Sequence, residues 1–262
     1  MSNAALHVAR TGLDAQSARM RVIANNLANV NTTAFQRERA EFQTLSYQTL
    51  VAPGAASSGD NRYAIGLSLG TGVQMTGTAR VATAGSLNST DNPYDLAIQG
   101  DGYFQIQRPD GTTAYSRAGN FQVSPEGQLV TGDGFPVMPD IRIPEGASAI
   151  TISADGKVSA TVAGETEATE VGQIELARFV NPAGLLPLGD NLYQATQASG
   201  EPQVGAAGQE GRGIIRQGML EGSNVNVVQE LVDMIETQRA YEVNSKMVSA
   251  TDEMLRNANQ QL

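Results

Sequence analysis

The sequence predicts an α+β fold, with N- and C-terminal helices that pair as an antiparallel, coiled-coil-like unit around an inserted mainly-β domain. Residues 3–30 contain no proline and a single glycine, and residues 223–262 contain neither. Between these ends, glycine turns recur at short intervals. We therefore place a terminal helical domain at 1–35 and 223–262, an extended loop and hairpin segment at 36–75, and a mainly-β domain at 76–222.

The N-terminal helix carries a heptad pattern of apolar residues. Leu6, Leu13, Met20 and Leu27 are spaced by seven, and a second set at Ala9, Ile23 and Val30 is interrupted only at Gln16. Helices with apolar residues at two positions of each heptad pack against another helix. We assign this packing role to the residues Leu6, Leu13, Met20, Ile23, Leu27 and Val30.

The C-terminal helix carries apolar residues on two faces. One face is a stripe of residues spaced by seven, at Val227, Met234, Tyr241, Val248 and Leu255. The other lies at Val243, Met247, Ala250 and Met254. A surface helix of a monomer has one apolar face, so two faces predict partners on both sides. Ser223 and Asn224 are the predicted caps. The packing residues assigned here are Val227, Leu231, Met234, Tyr241, Val243, Met247, Val248, Met254 and Leu255.

The central zone has the pattern of short strands joined by tight turns. An acidic residue precedes glycine at regular intervals, and the gaps hold alternating or β-branched runs, which is typical of an all-β sandwich or irregular barrel. The predicted turns are Asp101-Gly102, Asp110-Gly111, Glu126-Gly127, Asp133-Gly134, Glu145-Gly146 and Asp155-Gly156. The predicted strands are 94–99, 103–107, 149–152, 157–162 and 173–180.

Composition argues against several kinds of site. The chain has no cysteine and one histidine, His7, so we predict no catalytic residues, no metal site and no cofactor. A formal net charge of −10 argues against binding to nucleic acid. No apolar run has the length of a membrane span, and residues 1–10 lack the apolar core of a cleaved signal peptide, so we expect neither.

Three short motifs stand out, which are residues 24–29 (Ala-Asn-Asn-Leu-Ala-Asn) followed by 31–35, the central run 97–104, and the C-terminal runs 223–227 and 234–242. They are similar to motifs of the bacterial flagellar rod and hook protein family. The chain departs from the family at Ala34, where glycine is usual, so the backbone must tolerate a methyl group there. The matching residues are Asn25, Asn26, Leu27, Asn29, Thr33, Phe35, Asn224, Gln238, Arg239 and Tyr241.

This resemblance implies a structural subunit of the basal body, not an enzyme. Length and residues 45–70 most resemble the distal rod subunits, in which such a segment is associated with stiffness, here Ser46 to Gly66. The resemblance implies a rigid hollow helical tube that spans the periplasm, transmits torque and forms part of the export channel. Implied partners are other copies of the chain, proximal rod proteins, the hook protein, the P- and L-ring proteins and the export apparatus, with no membrane insertion.

Three alternative functions stay open at this point. The first is another rod or hook subunit of the same family. The second is an adhesin-like module whose terminal helices close into a small oligomer. The third is a peptidoglycan-cleaving enzyme that uses paired carboxylates such as Asp95 and Asp101, although these residues also fit turns.

Overall fold

A computed structural model describes residues 2–58, 61–144, 146–162 and 168–260. The chain divides into two compact units. We call residues 1–27, 38–79 and 226–262 the helix–ribbon unit, and residues 28–37 and 80–225 the β unit. The α+β class predicted from the sequence is confirmed.

The helix–ribbon unit contains both long helices and a set of paired strands. Helix α1 spans Ser2–Ala28 and helix α2 spans Val227–Gln260. The strands are β1 (Glu38–Thr44), β2 (Tyr47–Val51), β3 (Ala56–Ser58), β4 (Asn61–Arg62), β5 (Leu67–Gly70) and β6 (Val73–Arg80). They pair in a nested order, β1 with β6, β2 with β5 and β3 with β4. We call residues 38–79 the β-ribbon.

Helix α2 begins later than the sequence predicted. Asn226 is its N-cap, because the Asn226 side-chain oxygen accepts hydrogen bonds from the backbone N–H groups of Val228 and Gln229 at 3.1 and 3.2 Å. The prediction that Ser223 and Asn224 cap this helix was wrong. Its 34 residues extend over about 51 Å at the usual helical rise.

The β unit is built from short strands, and its largest sheet has the strand order β18-β19-β10-β9-β17-β20, with β13 also paired to β9. The strands are β7 (Leu87–Ser89), β8 (Leu96–Gln99), β9 (Tyr103–Gln107), β10 (Thr113–Ser116), β11 (Gln122–Val123), β12 (Leu129–Val130), β13 (Val137–Met138), β14 (Ala147–Ile152), β15 (Lys157–Val162), β16 (Thr169–Gln173), β17 (Glu175–Arg178), β18 (Leu186–Gly189), β19 (Leu192–Gln194), β20 (Gln203–Ala206), β21 (Ile214–Gln217) and β22 (Met219–Glu221). A 3-10 turn lies at Pro182–Gly184.

Alternation along β9 gives the large sheet two apolar faces. Phe104 and Ile106 point into the main core, which also holds Leu96, Leu176 and Ile215. The intervening Tyr103 belongs to a second, aromatic cluster. Because side chains alternate along a strand, one buried strand serves both clusters. The second cluster comprises Tyr103, Tyr115, Ala177, Phe179, Leu185 and Tyr193.

The predicted acidic-glycine turns occur where they were expected, apart from Glu145, which lies outside the described residues. Each glycine of these pairs has a positive φ angle. At Gly156 the turn also needs space, because a Cβ atom there would lie 2.4 Å from the carbonyl oxygen of Ile174. These glycines are thus required by the backbone and do not form a nucleotide-binding loop.

Ala34, which stands where glycine is usual in the family that the chain resembles, adopts the left-handed conformation. Its φ angle is 55°, its side chain is 2% exposed, and its N–H group donates a hydrogen bond to the carbonyl oxygen of Glu221 at 2.8 Å. An L-residue in this region is strained by about 1–2 kcal/mol relative to right-handed backbone. The methyl group is therefore tolerated at a cost.

Changing Ala34 to glycine is expected to raise the free energy of unfolding by about 0.5–1 kcal/mol, because glycine adopts positive φ without this strain. Urea denaturation followed by circular dichroism measures the change. Ala154→Gly is the matched control, since Ala154 is exposed and has an ordinary φ angle. This control should lower stability slightly, and a similar loss at Ala34 would contradict the argument.

Candidate polymerisation interface

Helices α1 and α2 pack against each other in antiparallel directions. A Cβ atom built on Gly12 would lie 3.3 Å from Nδ2 of Asn244. Farther along, Nη2 of Arg19 lies 3.7 Å from Oδ1 of Asp233. Higher residue numbers on α1 therefore lie beside lower residue numbers on α2, so the two helices run in opposite directions. The predicted pairing of the terminal helices is confirmed, whereas a coiled-coil geometry stays a prediction.

The face of α2 that is covered within the chain is polar and small. Glu230 and Thr237 are buried, and Asp233, Ala240 and Asn244 are half-buried. These positions recur every three or four residues, which places them on one side of the helix. The covered face of α2 thus contributes few bulky apolar side chains, which are the half-buried Met234 and Val248.

The opposite face of α2 is apolar and exposed. Val228, Leu231, Val232 and Ile235 lie about half a turn from the buried positions at 100° per residue, and Val228 is 71% exposed. Further exposed apolar side chains on α2 are Val227, Tyr241, Val243, Met247 and Met254. Of all these exposed residues, Val228, Leu231, Val232 and Ile235 lie together opposite the buried positions, and we call these four residues the outer face. Contiguous apolar surface of this kind marks a protein-interaction site.

The predicted packing residues fall into several groups. On α1, Ile23 is buried, whereas Leu6, Leu13, Met20, Leu27 and the following Val30 are half-buried. On α2, Met234 and Val248 are half-buried. The exposed predicted residues are Val227, Leu231, Tyr241, Val243, Met247 and Met254. The side chain of Leu255 lies outside the described residues, and the packing role of the whole set stays a prediction.

Sequence reasoning missed part of the outer face. Val228, Val232 and Ile235 were not selected, because neither of the two predicted stripes includes them. The run 227, 228, 231, 232 and 235 has intervals of one and three, which is the pattern of a single wide helical stripe. This shorter period was the available signal.

Asn26 connects three parts of the helix–ribbon unit. Its Nδ2 donates to the backbone carbonyl of Glu38 at 2.9 Å and to Oε2 of Glu230 at 3.2 Å, and its Oδ1 accepts from the Glu38 N–H at 2.9 Å. Asn26 and Glu230 are each 1% exposed. Of the other motif residues in this unit, Asn25, Gln238 and Arg239 are exposed.

The motif residues of the β unit hold chain segments together. Asn224 accepts a hydrogen bond from the Arg37 N–H at 2.6 Å and donates to the carbonyl of Val81 at 2.9 Å. Its own N–H donates to the carbonyl of Phe35 at 3.2 Å. Thr33 contributes its carbonyl, which accepts from Asn191 at 3.1 Å, and Asn29 accepts a bond from the hydroxyl of Thr32 at 3.0 Å.

A buried ion pair lies in the same unit. The Arg117 guanidinium is 2.9 Å from the Glu221 carboxylate, and the side chains are 5% and 2% exposed. Arg117 also donates to the carbonyls of Ile98, Gly100 and Gly102 at 3.1–3.3 Å. The second carboxylate oxygen of Glu221 accepts from the N–H of Gly85 at 3.0 Å. Sequence reasoning did not find this pair, since its members are far apart in the chain.

The β-ribbon exposes large apolar side chains on β2, on β5 and in the segment just before β5. Ile65 is 84% exposed, and Tyr47, Leu50, Tyr63, Leu67 and Leu69 are also exposed. A two-stranded ribbon is marginally stable by itself. Residues 59 and 60, which belong to the predicted stiffening segment Ser46 to Gly66, lie outside the described residues.

The carboxylates considered for hydrolysis have structural surroundings. Asp95 is buried and accepts a hydrogen bond from Nδ2 of Asn92 at 3.0 Å, while Asp101 is exposed in its turn. In the aromatic cluster, burial raises the pKa of Tyr103 and of Tyr115, so both phenols are neutral at physiological pH. In the described part of the chain, no helix is long and apolar enough to span a membrane.

Comparison with known protein families finds matches in three parts of the chain. Three family models match: "Flagella basal body rod protein" over residues 6–36, "Flagellar hook protein FlgE/F/G D1 domain" over 97–160, and "Flagellar basal body rod FlgEFG protein C-terminal" over 216–261. The first and last cover most of α1 and α2, and the middle one covers much of the β unit.

Relatives of full length narrow the assignment. The chain is 51% identical to flagellar basal-body rod protein FlgG of Buchnera aphidicola (subsp. Acyrthosiphon pisum) over 97% of this chain and 98% of the relative. Against Caulobacter vibrioides, it is 47% identical to FlgG over 98% of both chains and 37% identical to FlgF over 92% and 90%. The chain belongs to the FlgG family of flagellar basal-body rod proteins. It is a structural subunit of the flagellar distal rod.

Proposed function

We propose that this distal rod subunit polymerises through its terminal helices into a rigid hollow helical tube. The observation that carries the proposal is the arrangement of α2, which covers a polar face within the chain and leaves the apolar outer face exposed. Apolar surface of this kind is stabilised when neighbouring subunits cover it. Contacts that repeat from subunit to subunit without closing produce a helical filament.

The tube transmits torque from motor to hook across the periplasm, and its centre forms part of the export channel. Family membership implies assembly with other rod and hook components of the basal body. Within that assembly we propose contacts with proximal rod proteins, the hook protein, the surrounding P- and L-ring proteins and the export apparatus. The similarity to FlgG in Caulobacter vibrioides exceeds that to FlgF, which favours this role over other rod or hook subunits.

The helices gain most of their stabilisation only on assembly. Within one chain, the covered positions of α2 are largely small and polar, and a partly exposed ion pair such as Arg19–Asp233 contributes about 0–1 kcal/mol. Helical segments that bury little apolar surface alone fold when a partner covers them. We therefore propose that folding of the terminal helices is coupled to polymerisation.

The stiffening role falls on the β-ribbon, in particular on Ser46 to Gly66. Its side chains Tyr47, Leu50 and Ile65 are exposed in the single chain. Exposed apolar surface of this kind is unfavourable in water and is typical of a surface that a partner covers. Packed on a neighbouring subunit, the ribbon adds a second contact outside the helices. A tube whose subunits are joined at two different distances from its axis resists bending better than a tube whose subunits are joined at one.

Deleting Ser46–Gly66 is expected to leave a tube that forms but bends more easily, since the helices remain and the outer contact is lost. Electron microscopy of isolated rods measures the curvature of the tubes. A full-length variant in which Tyr47, Leu50 and Ile65 are changed to serine should bend like the deletion, while Gln48→Ser, an exposed polar change on the same strand, should not.

The same images test the proposal as a whole. The unaltered chain must give tubes with a central channel. Compact rings or trimers would instead support an adhesin-like oligomer and contradict the rod. Unchanged bending stiffness in the deletion would contradict the stiffening role alone.

A further inference from the structure

We propose that Asn26 is a positioning residue that couples the register of α2 on α1 to the placement of the β-ribbon. The inference rests on the proposed assembly through helices and ribbon, and it assigns to one side chain the task of holding both. This coupling depends on the orientation of a single buried amide.

The Asn26 amide pairs with Glu38 as a neighbouring strand residue would. Its Oδ1 accepts from the Glu38 N–H at 2.9 Å while its Nδ2 donates to the Glu38 carbonyl at 2.9 Å. A side-chain amide has one donor group and one acceptor, so this pair of hydrogen bonds forms in only one of its two orientations. The root of the ribbon, at the start of β1, is thereby attached to α1.

Glu230 of α2 selects the same orientation. An ionised carboxylate only accepts hydrogen bonds, so Nδ2 must face it, and this atom lies 3.2 Å from Oε2. Turning the amide over would place two oxygens together and break both bonds to Glu38. With α2 seated, the orientation that satisfies Glu230 is the one that holds the ribbon.

Burial makes the coupling depend on register. Asn26 and Glu230 are both 1% exposed, so water does not readily replace a missing partner. Sliding α2 by one residue moves the carboxylate about 1.5 Å along the axis and about 100° around it. A misplaced α2 therefore removes one of the two groups, Glu38 and Glu230, that hold the amide in this orientation.

Two further contacts between described residues of α1 and the ribbon are less buried. His7 is exposed, and its Nδ1 lies 3.2 Å from the carbonyl of Thr71. The Thr11 hydroxyl accepts from the Val73 N–H at 3.3 Å. These contacts guide the ribbon along α1, whereas Asn26 also contacts α2. In a subunit whose α2 is not yet seated, the ribbon is held loosely, so helix pairing precedes ribbon docking.

Spin labels test this coupling in the assembled rod. The chain has no cysteine, so Arg21→Cys and Gln43→Cys place one label on α1 and one on β1 at exposed positions. The labelled chain is incorporated as a minority among unlabelled wild-type subunits, and double electron–electron resonance on isolated rods measures the distance distribution. Labelled subunits that carry no other substitution should give one narrow distance, which is the wild-type reference.

Changing Glu230 to alanine should broaden this distance distribution at least about twofold, although it leaves Asn26 and Glu38 in place. Glu230→Gln keeps an acceptor for Nδ2 and should stay narrow. Glu236→Ala is the matched control, because Glu236 is exposed on the same helix. An incorporated Glu230→Ala chain with the narrow wild-type distance would overturn the inference.

A compensating pair separates positioning from simple destabilisation. Asn26→Asp places a second carboxylate against Glu230 and should reduce incorporation at least about tenfold. Adding Glu230→Gln supplies a donor and should restore incorporation. The distance should nevertheless stay broad, because an oxygen of the introduced carboxylate still faces the Glu38 carbonyl. A double variant that incorporates no better than N26D, or that returns to the narrow distance, contradicts the proposal.

Failure of the coupling is distinguishable from failure of the proposed function. If the wild-type chain forms no tubes, the polymerisation proposal is wrong. If wild-type tubes form and only the distance changes are absent, the rod assignment stands and the role of Asn26 is wrong.

Discussion

Replacing Arg117 by methionine is expected to lower the free energy of unfolding by about 3–5 kcal/mol. The change leaves the Glu221 carboxylate 2% exposed and without its positive partner. It also removes the donors that satisfy the carbonyls of Ile98, Gly100 and Gly102. Methionine approximates the length of the arginine stem, so the loss comes mainly from polar groups. Urea denaturation followed by circular dichroism gives the value.

Arg216→Met is the matched control for this substitution. Arg216 is exposed, and its Nε donates to the side chain of Gln99 at 2.9 Å. Exposed polar contacts contribute little, so stability should change by no more than about 0.5 kcal/mol. Adding Glu221→Gln to Arg117→Met should recover part of the loss by removing the uncompensated charge. A loss below about 1 kcal/mol in the single variant would show that water satisfies this site.

Replacing Ile235 by aspartate is expected to abolish polymerisation without unfolding the β unit. Ile235 is 51% exposed at the centre of the outer-face stripe, so a charge there is tolerated in the free chain. In the tube the same charge would be desolvated against apolar neighbours, at a cost of several kcal/mol for each subunit. Rods counted in electron micrographs of isolated basal bodies, together with swimming assays, measure the effect.

Two controls make this experiment decisive. Ile235→Leu conserves volume and polarity and should leave rods and swimming intact. The circular dichroism spectrum of the purified aspartate variant should match that of the wild type, because the main core lies within the β unit. Rods of normal number in the aspartate variant would mean that the outer face is not the subunit contact.

The helices and turns were predictable because they depend on local order in the chain. Absence of proline at both ends and apolar spacing predicted α1 and α2 to within a few residues. The pairs Asp110-Gly111 and Asp155-Gly156 predicted turns, since the backbone there needs a positive φ angle that glycine adopts readily. Predicted strands 103–107 and 157–162 coincide with β9 and β15.

The start of α2 and the composition of its buried face were not predictable in the same way. Asn224 and Asn226 are both good caps by residue type, and their roles differ because Asn224 bonds to Arg37 and Val81 instead. An apolar stripe is conventionally assigned to the buried side of a helix. Here Ile235 is exposed and Thr237 is buried, because α1 offers a close approach at Gly12 and polar partners at Arg19 and Asn26.

By itself, then, the sequence determined the fold class, the two long helices, the acidic-glycine turns and, through short motifs such as residues 24–29, the family. These are local properties, and spacing along the chain records them directly. Only the tertiary structure decided which face of α2 is free, how Asn26 meets both Glu38 and Glu230, and that Arg117 pairs with Glu221. Such contacts join residues far apart in the chain, and their energies depend on burial that no local pattern specifies.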